Sequence, residues 1–250
     1  MLHPGLLYRV GFATGGEKVR YIAALLCLFA LVGCSHPIPE YESHYTEPPP
    51  ENAGVPVAII GDSYTGGTPL GGKGPQSWPE DVQRTLASEG VLINPRVGFE
   101  GGSGYVNRRN ANGHVFIDQV PDVVAPDVKA IVIFGSRNDI DVPAPELTRW
   151  VQRTMDMAVQ RAPGVPLIII GPPWVNGNPP PGILQARDIV RDGALAHQAI
   201  WVDPLADRWF VDRPDLIASD GIHPTDAGHA YMAERIAPVI KNALQPAPVS

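Results

Sequence analysis

Cysteine is nearly absent from this chain. Its 250 residues include two, Cys27 and Cys34, so nothing beyond position 34 can form an internal disulfide. A stable fold there must rest on a buried core, for which a stretch of roughly 200 residues is ample. A surplus of positive charge is also missing, since 19 Lys and Arg stand against 26 Asp and Glu, a net −7. Arg9, Lys18 and Arg20 fall early, with Glu17 alone to offset them, which leaves the rest at about −9. No basic stripe is present, so the electrostatic footprint of a nucleic-acid binder is excluded. Nor is there an apolar run of the ~20 residues needed to cross a bilayer as a helix. The run from Ile22 to Val32 is too short.

That short run has the form of a targeting segment and is set aside before fold reasoning. Lys18 and Arg20 precede it, and Leu31-Val32-Gly33-Cys34 ends it. This ending resembles the lipobox of bacterial lipoproteins. The resemblance implies a signal peptide over 1–33, cleavage before Cys34 and attachment of diacylglycerol to its thiol. A plain secretory signal is the alternative. Residues 1–17 are neither basic nor apolar, which fits a translation start near Val19. Residues 34–54 are Pro-rich, from His36-Pro-Ile-Pro through Pro48-Pro-Pro50, with no apolar periodicity. Such a tether favours extended polyproline II. The expected location is the outer face of the bacterial cytoplasmic membrane or the cell envelope.

The folded domain is expected over 55–245. Short continuous apolar runs at Val57–Ile60, Val91–Ile93, Ala130–Phe134, Leu167–Ile170 and Ile200–Val202 read as parallel strands covered on both faces. Helical patterns lie between them. Ser77-Trp-Pro-Glu80 spells a capping box that opens a helix to about Ser88. Pro145–Arg161 and Ile183–His197 follow. Thr225–Leu244 is the last, with Ala227, Tyr231, Ile236, Val239 and Ile240 expected on one side. This alternation predicts a three-layer α/β/α sandwich around a five-stranded parallel sheet, with ligands at the carboxyl ends of its strands.

The chemically suggestive residues fall just past those strands. Ser63, in Gly61-Asp-Ser-Tyr64, follows the first; Gly101-Gly-Ser-Gly104 follows the second; Asn138 follows the third; Trp174 follows the fourth; Asp220-Gly-Ile-His223 follows the fifth. An Asp three residues before a His can hold one imidazole nitrogen and leave the other facing a nucleophile. A serine hydroxyl needs such a base before it reacts. Taken singly, each block has a plainer reading. Asp62-Ser63 is also a helix N-cap, Asn138-Asp139 and Asp220-Gly221 are turn pairs, and His223 can cap the last helix.

In this order and spacing Gly61-Asp-Ser-Tyr64, the glycines at 101–104, Gly135-x-x-Asn138 and Asp220-x-x-His223 resemble the four motif blocks of the SGNH (GDSL-type) hydrolase family, over nearly all of residues 55–244, although Tyr64 stands where leucine is commoner. The resemblance implies a flavodoxin-like sheet and a Ser63–His223–Asp220 triad. It also implies an oxyanion hole of the Ser63 N–H, the Gly102 N–H (Gly104 as the alternative) and the Asn138 amide. Carboxylic esters would be cleaved through an acyl-enzyme, with a small-molecule or glycolipid ester as substrate and no cofactor. Because the family includes acyltransferases, transfer to a sugar hydroxyl is the alternative activity.

Other features carry weaker signals. Gly67-x-x-x-x-Gly72-Lys73 lacks the Ser/Thr of a phosphate-binding loop, and residues 66–74 are expected instead as a mobile loop beside the site. His223, His229 and Asp226 lack zinc-like spacing, so no metal is expected. Arg108, Arg109 and Arg137 lie near the blocks. Arg108 and Arg137 are candidates to clamp a carboxylate or phosphate, against the default of surface arginines. Trp174 either packs or binds substrate.

Overall fold

The computed structural model describes residues 54–245. The expected signal peptide and tether, Cys34 included, lie outside the described residues except for Gly54. Five parallel strands form one sheet in the order β2-β1-β3-β4-β5: β1 (Val55–Gly61), β2 (Ile93–Phe99), β3 (Ala130–Phe134), β4 (Leu167–Ile170) and β5 (Ile200–Val202). Between and after them run α1 (Ser63–Gly66), α2 (Trp78–Ser88), α3 (Phe116–Val123), α4 (Ala144–Arg161), α5 (Pro181–Ala196) and α6 (Asp226–Ala243).

Continuous apolar strands are explained by two cores. Val57 and Ile59 of β1, with Val132 and Phe134 of β3, pack toward α2 and α6. Ala58 and Ile60, with Ile131 and Ile133, face α3, α4 and α5. Successive side chains point to opposite faces of a strand, so every residue of such a run is buried. The result is a three-layer α/β/α sandwich. Strand order reverses between β1 and β3, which opens a crevice at their carboxyl ends.

Four features depart from expectation. The second strand is Ile93–Phe99 rather than Val91–Ile93, and the Val91 N–H instead closes α2 on the Leu86 carbonyl at 2.9 Å. Asn94-Pro95-Arg96 does not read as a buried strand, but β2 is a sheet edge, where a missing proline donor is tolerated. Arg96 there pairs with Asp127. Helix α3 was not expected, being two turns long with Pro121 inside. Arg161 of α4 donates to the carbonyls of Pro121 and Val124 that α3 leaves open. The Ser77 hydroxyl makes no cap hydrogen bond although α2 starts where expected. Finally, Ala227 is exposed, and the buried stripe of α6 runs through His229, Met232, Ile236 and Ile240.

His229 caps the start of α2 at a different amide. Its ring is fully buried, and Nδ1 accepts from the Trp78 N–H at 3.3 Å, the first amide of α2. Gly72 lies against the same ring: a Cβ there would sit 1.9 Å from Nε2, at a φ of +71°. Only glycine suits that approach. Burial pushes the His229 pKa down to about 4. An unfolded histidine titrates near 6.5, so from pH 6.5 down to 4 the unfolded chain takes a proton that the folded chain refuses. This group's contribution to stability therefore disappears as pH falls through that window, by roughly 3 kcal/mol at most. His229→Gln keeps an acceptor for Trp78, and it should lose less stability than wild type between pH 7 and 4.5 in urea unfolding. Equal losses in the two proteins would refute this account.

Candidate active site

Ser63 is the first residue of α1, two positions past β1. Asp62 caps that turn, its Oδ1 accepting from the Tyr64 N–H at 2.8 Å. The plainer reading of Asp62 as an N-cap therefore holds, and the cap aims the serine at the crevice. From the other end of the chain, His223 Nε2 comes within 3.1 Å of Ser63 Oγ, and His223 Nδ1 lies 2.6 Å from Asp220 Oδ2. The second Asp220 oxygen accepts from the N–H groups of Ile222 and His223. The hydrogen bond with the His223 ring, helped by those two N–H groups, holds its carboxyl down to about 2, so it stays anionic across ordinary pH. An anion on Nδ1 leaves Nε2 free to accept the serine proton.

Ser63, Gly101, Gly102 and Asn138 all line one cavity of about 1210 Å³. Among the described residues, the N–H groups of Ser63, Gly101 and Gly102 have no acceptor. Gly102 has a φ of +80°, open to glycine without strain. Gly104 is different: its N–H donates to the Asn107 carbonyl, and Asp139 fills the space beside it. The Asn138 amide is also committed, with Nδ2 2.7 Å from the Ser103 carbonyl and 2.9 Å from Asp62 Oδ2. Two hydrogens serve two acceptors, so a carbonyl oxygen arriving there shares one of them.

Two buried carboxylates organise this rim. Asp139 accepts from the N–H groups of Tyr105, Val106 and Asn107, and thereby holds the loop after β2 against the turn after β3. Burial raises its pKa and those bonds oppose the rise. Burial also pushes Asp62 up to about 7. Asp139 had looked like a turn residue. Its position next to Asn138, just past a buried strand, was the available signal.

The substrate-side candidates separate. Trp174 and Arg137 line the cavity, with the Arg137 guanidinium 4.6 Å over the indole. Arg108 does not line it; its guanidinium is taken by the Gly113 carbonyl and Asp118. The neighbouring Arg109 lines the cavity instead. The Gly-rich segment also lines it, but as a tied turn: Thr68 and Gly71 exchange backbone hydrogen bonds, and the Gly72 N–H donates to Asp226 at 2.7 Å. Among the described residues no His, Cys, Asp and Glu cluster could hold a metal.

Residues 59–231 match the model of the GDSL-like lipase/acylhydrolase family. The chain is 47% identical over 192 residues to GDSL lipase Rv0518 of Mycobacterium tuberculosis, across 76% of this chain and 83% of that protein. A lipase/acylhydrolase from Enterococcus faecalis shares the fold with a TM-score of 0.63 at 17% identity, covering 78% of this chain and all of the other. A family two carbohydrate esterase from Clostridium thermocellum, solved with cellohexaose, aligns with a TM-score of 0.62 at 17% identity, over 76% of this chain and 64% of that one.

Tyr64 departs from the commoner leucine with a structural consequence. Its buried hydroxyl donates to the Ile222 carbonyl, joining the Ser63 turn to the loop that carries His223. Tyr64→Phe leaves that carbonyl with the 3.4 Å contact of Arg137. The expected result is a loss of about 1 kcal/mol in stability. Labelling of Ser63 by a fluorophosphonate should also slow by up to about 10²-fold, the size of effect that a misplaced catalytic group produces. Wild-type labelling in a folded Tyr64→Phe protein would show that the strap does not position His223.

Proposed function

The chain belongs to the GDSL-like lipase/acylhydrolase family, and from that premise we propose that it is a serine esterase that cleaves O-acyl esters through an acyl-enzyme. The observation that carries this reading is the unbroken hydrogen-bond line from Asp220 through His223 to Ser63 Oγ. His223 takes the serine proton as Oγ attacks the ester carbonyl. Charge that builds on the carbonyl oxygen is met by the unpartnered N–H groups of Ser63 and Gly102, with Asn138 sharing a third donor. His223 then returns the proton to the departing alcohol, and water repeats the sequence in reverse to release the acid. In the acyltransferase alternative a sugar hydroxyl replaces water at that last step; acceptor-dependent product with little hydrolysis would identify it.

Ser63→Ala should abolish fluorophosphonate labelling and lower kcat on p-nitrophenyl esters by on the order of 10⁴–10⁶. Asp220→Asn should lose about 10⁴ by favouring the wrong imidazole tautomer. Near-wild-type turnover by folded Ser63→Ala protein would sink the mechanism.

The protein is further proposed to be an exported lipoprotein held at the membrane through Cys34, on the strength of Leu31-Val32-Gly33-Cys34 behind a short apolar run. A diacylglyceryl thioether carries two chains, enough for stable anchoring where one is marginal. Cys34→Ala should leave the membrane fraction or stall as precursor, with activity on soluble esters retained. A processed Cys34→Ala protein that still sediments with membranes would overturn the anchor.

A further inference from the structure

The cavity around Ser63 has two unlike flanks, a fact that bears on substrate class and rests on the esterase reading above. On the β2 side, Val97 and Phe99 of the edge strand stand with Gly66, Pro69 and Pro75 along its wall. Phe99 packs over Gly66, where a Cβ would meet its ring at 2.0 Å, yet the phenyl remains half exposed. This flank offers an apolar trough to an acyl chain. On the other side of β1 stand Arg137 and Trp174, past β3 and β4. Arg109 rides on the loop that Asp139 holds to that side, its Cβ 3.6 Å from where a Gly102 Cβ would lie.

The cavity also gathers positive charge. Arg84, Arg96, Arg187, Arg191, Arg213 and Lys241 each sit within salt-bridge distance of a carboxylate. Among the described residues, Lys73, Arg109 and Arg137 do not, nor do Lys129, Arg149, Arg153, Arg161 and Arg235, but it is the first three that line the cavity, against Glu80 as its one acid. Three cations against one acid reverse the balance of a chain that carries a net −7. Arg137 is held by neutral partners only: Nη1 lies 3.4 Å from both Tyr64 Oη and the Ile222 carbonyl, and Trp174 stacks beneath the guanidinium. Its Nη2 and Nε have no acceptor among the described residues. A planar fork held ready beside the reacting carbonyl suits a carboxylate or phosphate oxygen.

We propose that the site selects esters whose alcohol part carries an anion, carboxylate or phosphate, bound by Arg109 and Arg137, with the acyl chain along Val97 and Phe99. Four hexanoyl-sized substrates test this with the full chain: the hexanoyl esters of 3-hydroxypropanoate, of 3-hydroxypropanamide and of 2-hydroxyethyl phosphate, and the propyl monoester of adipate. The two with an anion on the alcohol should exceed the amide by about tenfold or more in kcat/KM, mostly through KM, and the preference should shrink as salt is raised. Arg109→Gln should cut that ratio several-fold, with Arg109→Lys keeping part of it. The carboxylate and phosphate arms show which anion fits better.

A wild-type ratio near one, a ratio that Arg109→Gln does not move, or preference for the adipate monoester would each overturn the inference while leaving the esterase intact. Failure to cleave any of the four, the neutral ester included, would instead remove the esterase reading, and the inference with it.

Discussion

The 3.1 Å approach of His223 Nε2 to Ser63 Oγ joins residues 160 positions apart, and most polar bonds on the carboxyl rim serve to hold its two ends in place. One end is fixed by the sheet. β1 is buried on both faces between β2 and β3, so the turn that follows it cannot shift without disturbing either core. The other end, residues 218–223, is the exposed tip of the connection between β5 and α6, past its buried Trp209, Phe210 and Leu216. It is secured by the two backbone bonds to Asp220, by the Ala218 N–H on the His223 carbonyl, and by the Tyr64 hydroxyl on Ile222. Such a loop needs many hydrogen bonds because burial supplies it with little.

The buried acids beneath the site pull stability in a direction opposite to His229. Asp62 titrates near 7 in the fold and near 4 unfolded, so between those values the folded chain holds the extra proton. Stability from this group is present at low pH and is lost as pH rises through the window. A charge kept there costs free energy, and the position returns geometry: Asp62 orients both the Tyr64 amide and the Asn138 side chain. The same bond engages an Asn138 hydrogen that an oxyanion would want. Strain of this kind, in which a site is ordered at the expense of the fold, is common where chemistry is done.

Much of this arrangement was legible in the sequence, for reasons tied to particular residues. Ala130–Phe134 and Leu167–Ile170 read as strands because a strand covered on both faces has no polar position, and they span the residues expected. Ser63, Asn138, Asp220 and His223 could be placed on one rim because each followed such a run. β2 was misplaced because an edge strand tolerates Asn94-Pro95-Arg96, and α3 was missed because two turns with an internal proline give little period to read. The Ser77 box satisfied the local rule, but the hydroxyl makes no cap bond, and the side-chain acceptor at this helix start is a histidine 151 residues away on the Trp78 amide. Arg108 was named where Arg109 reaches the cavity for a similar reason: adjacent residues in a loop face different ways, and only the fold decides between them.

The rim also couples recognition to catalysis through shared atoms. Arg137 lines the cavity beside Trp174, and the same Nη1 contacts both Tyr64 and the Ile222 carbonyl. Ile222 lies one residue before His223 and two after Asp220. A ligand oxygen that draws Arg137 toward the cavity therefore takes a donor away from the His223 loop, and the Tyr64 hydroxyl remains to carry that carbonyl alone. In a protein with leucine at this position no hydroxyl would be left, and the loop would depend on Arg137 staying where it is. Under the proposed anion binding, tyrosine in place of leucine would let Arg137 turn to the substrate without releasing the base.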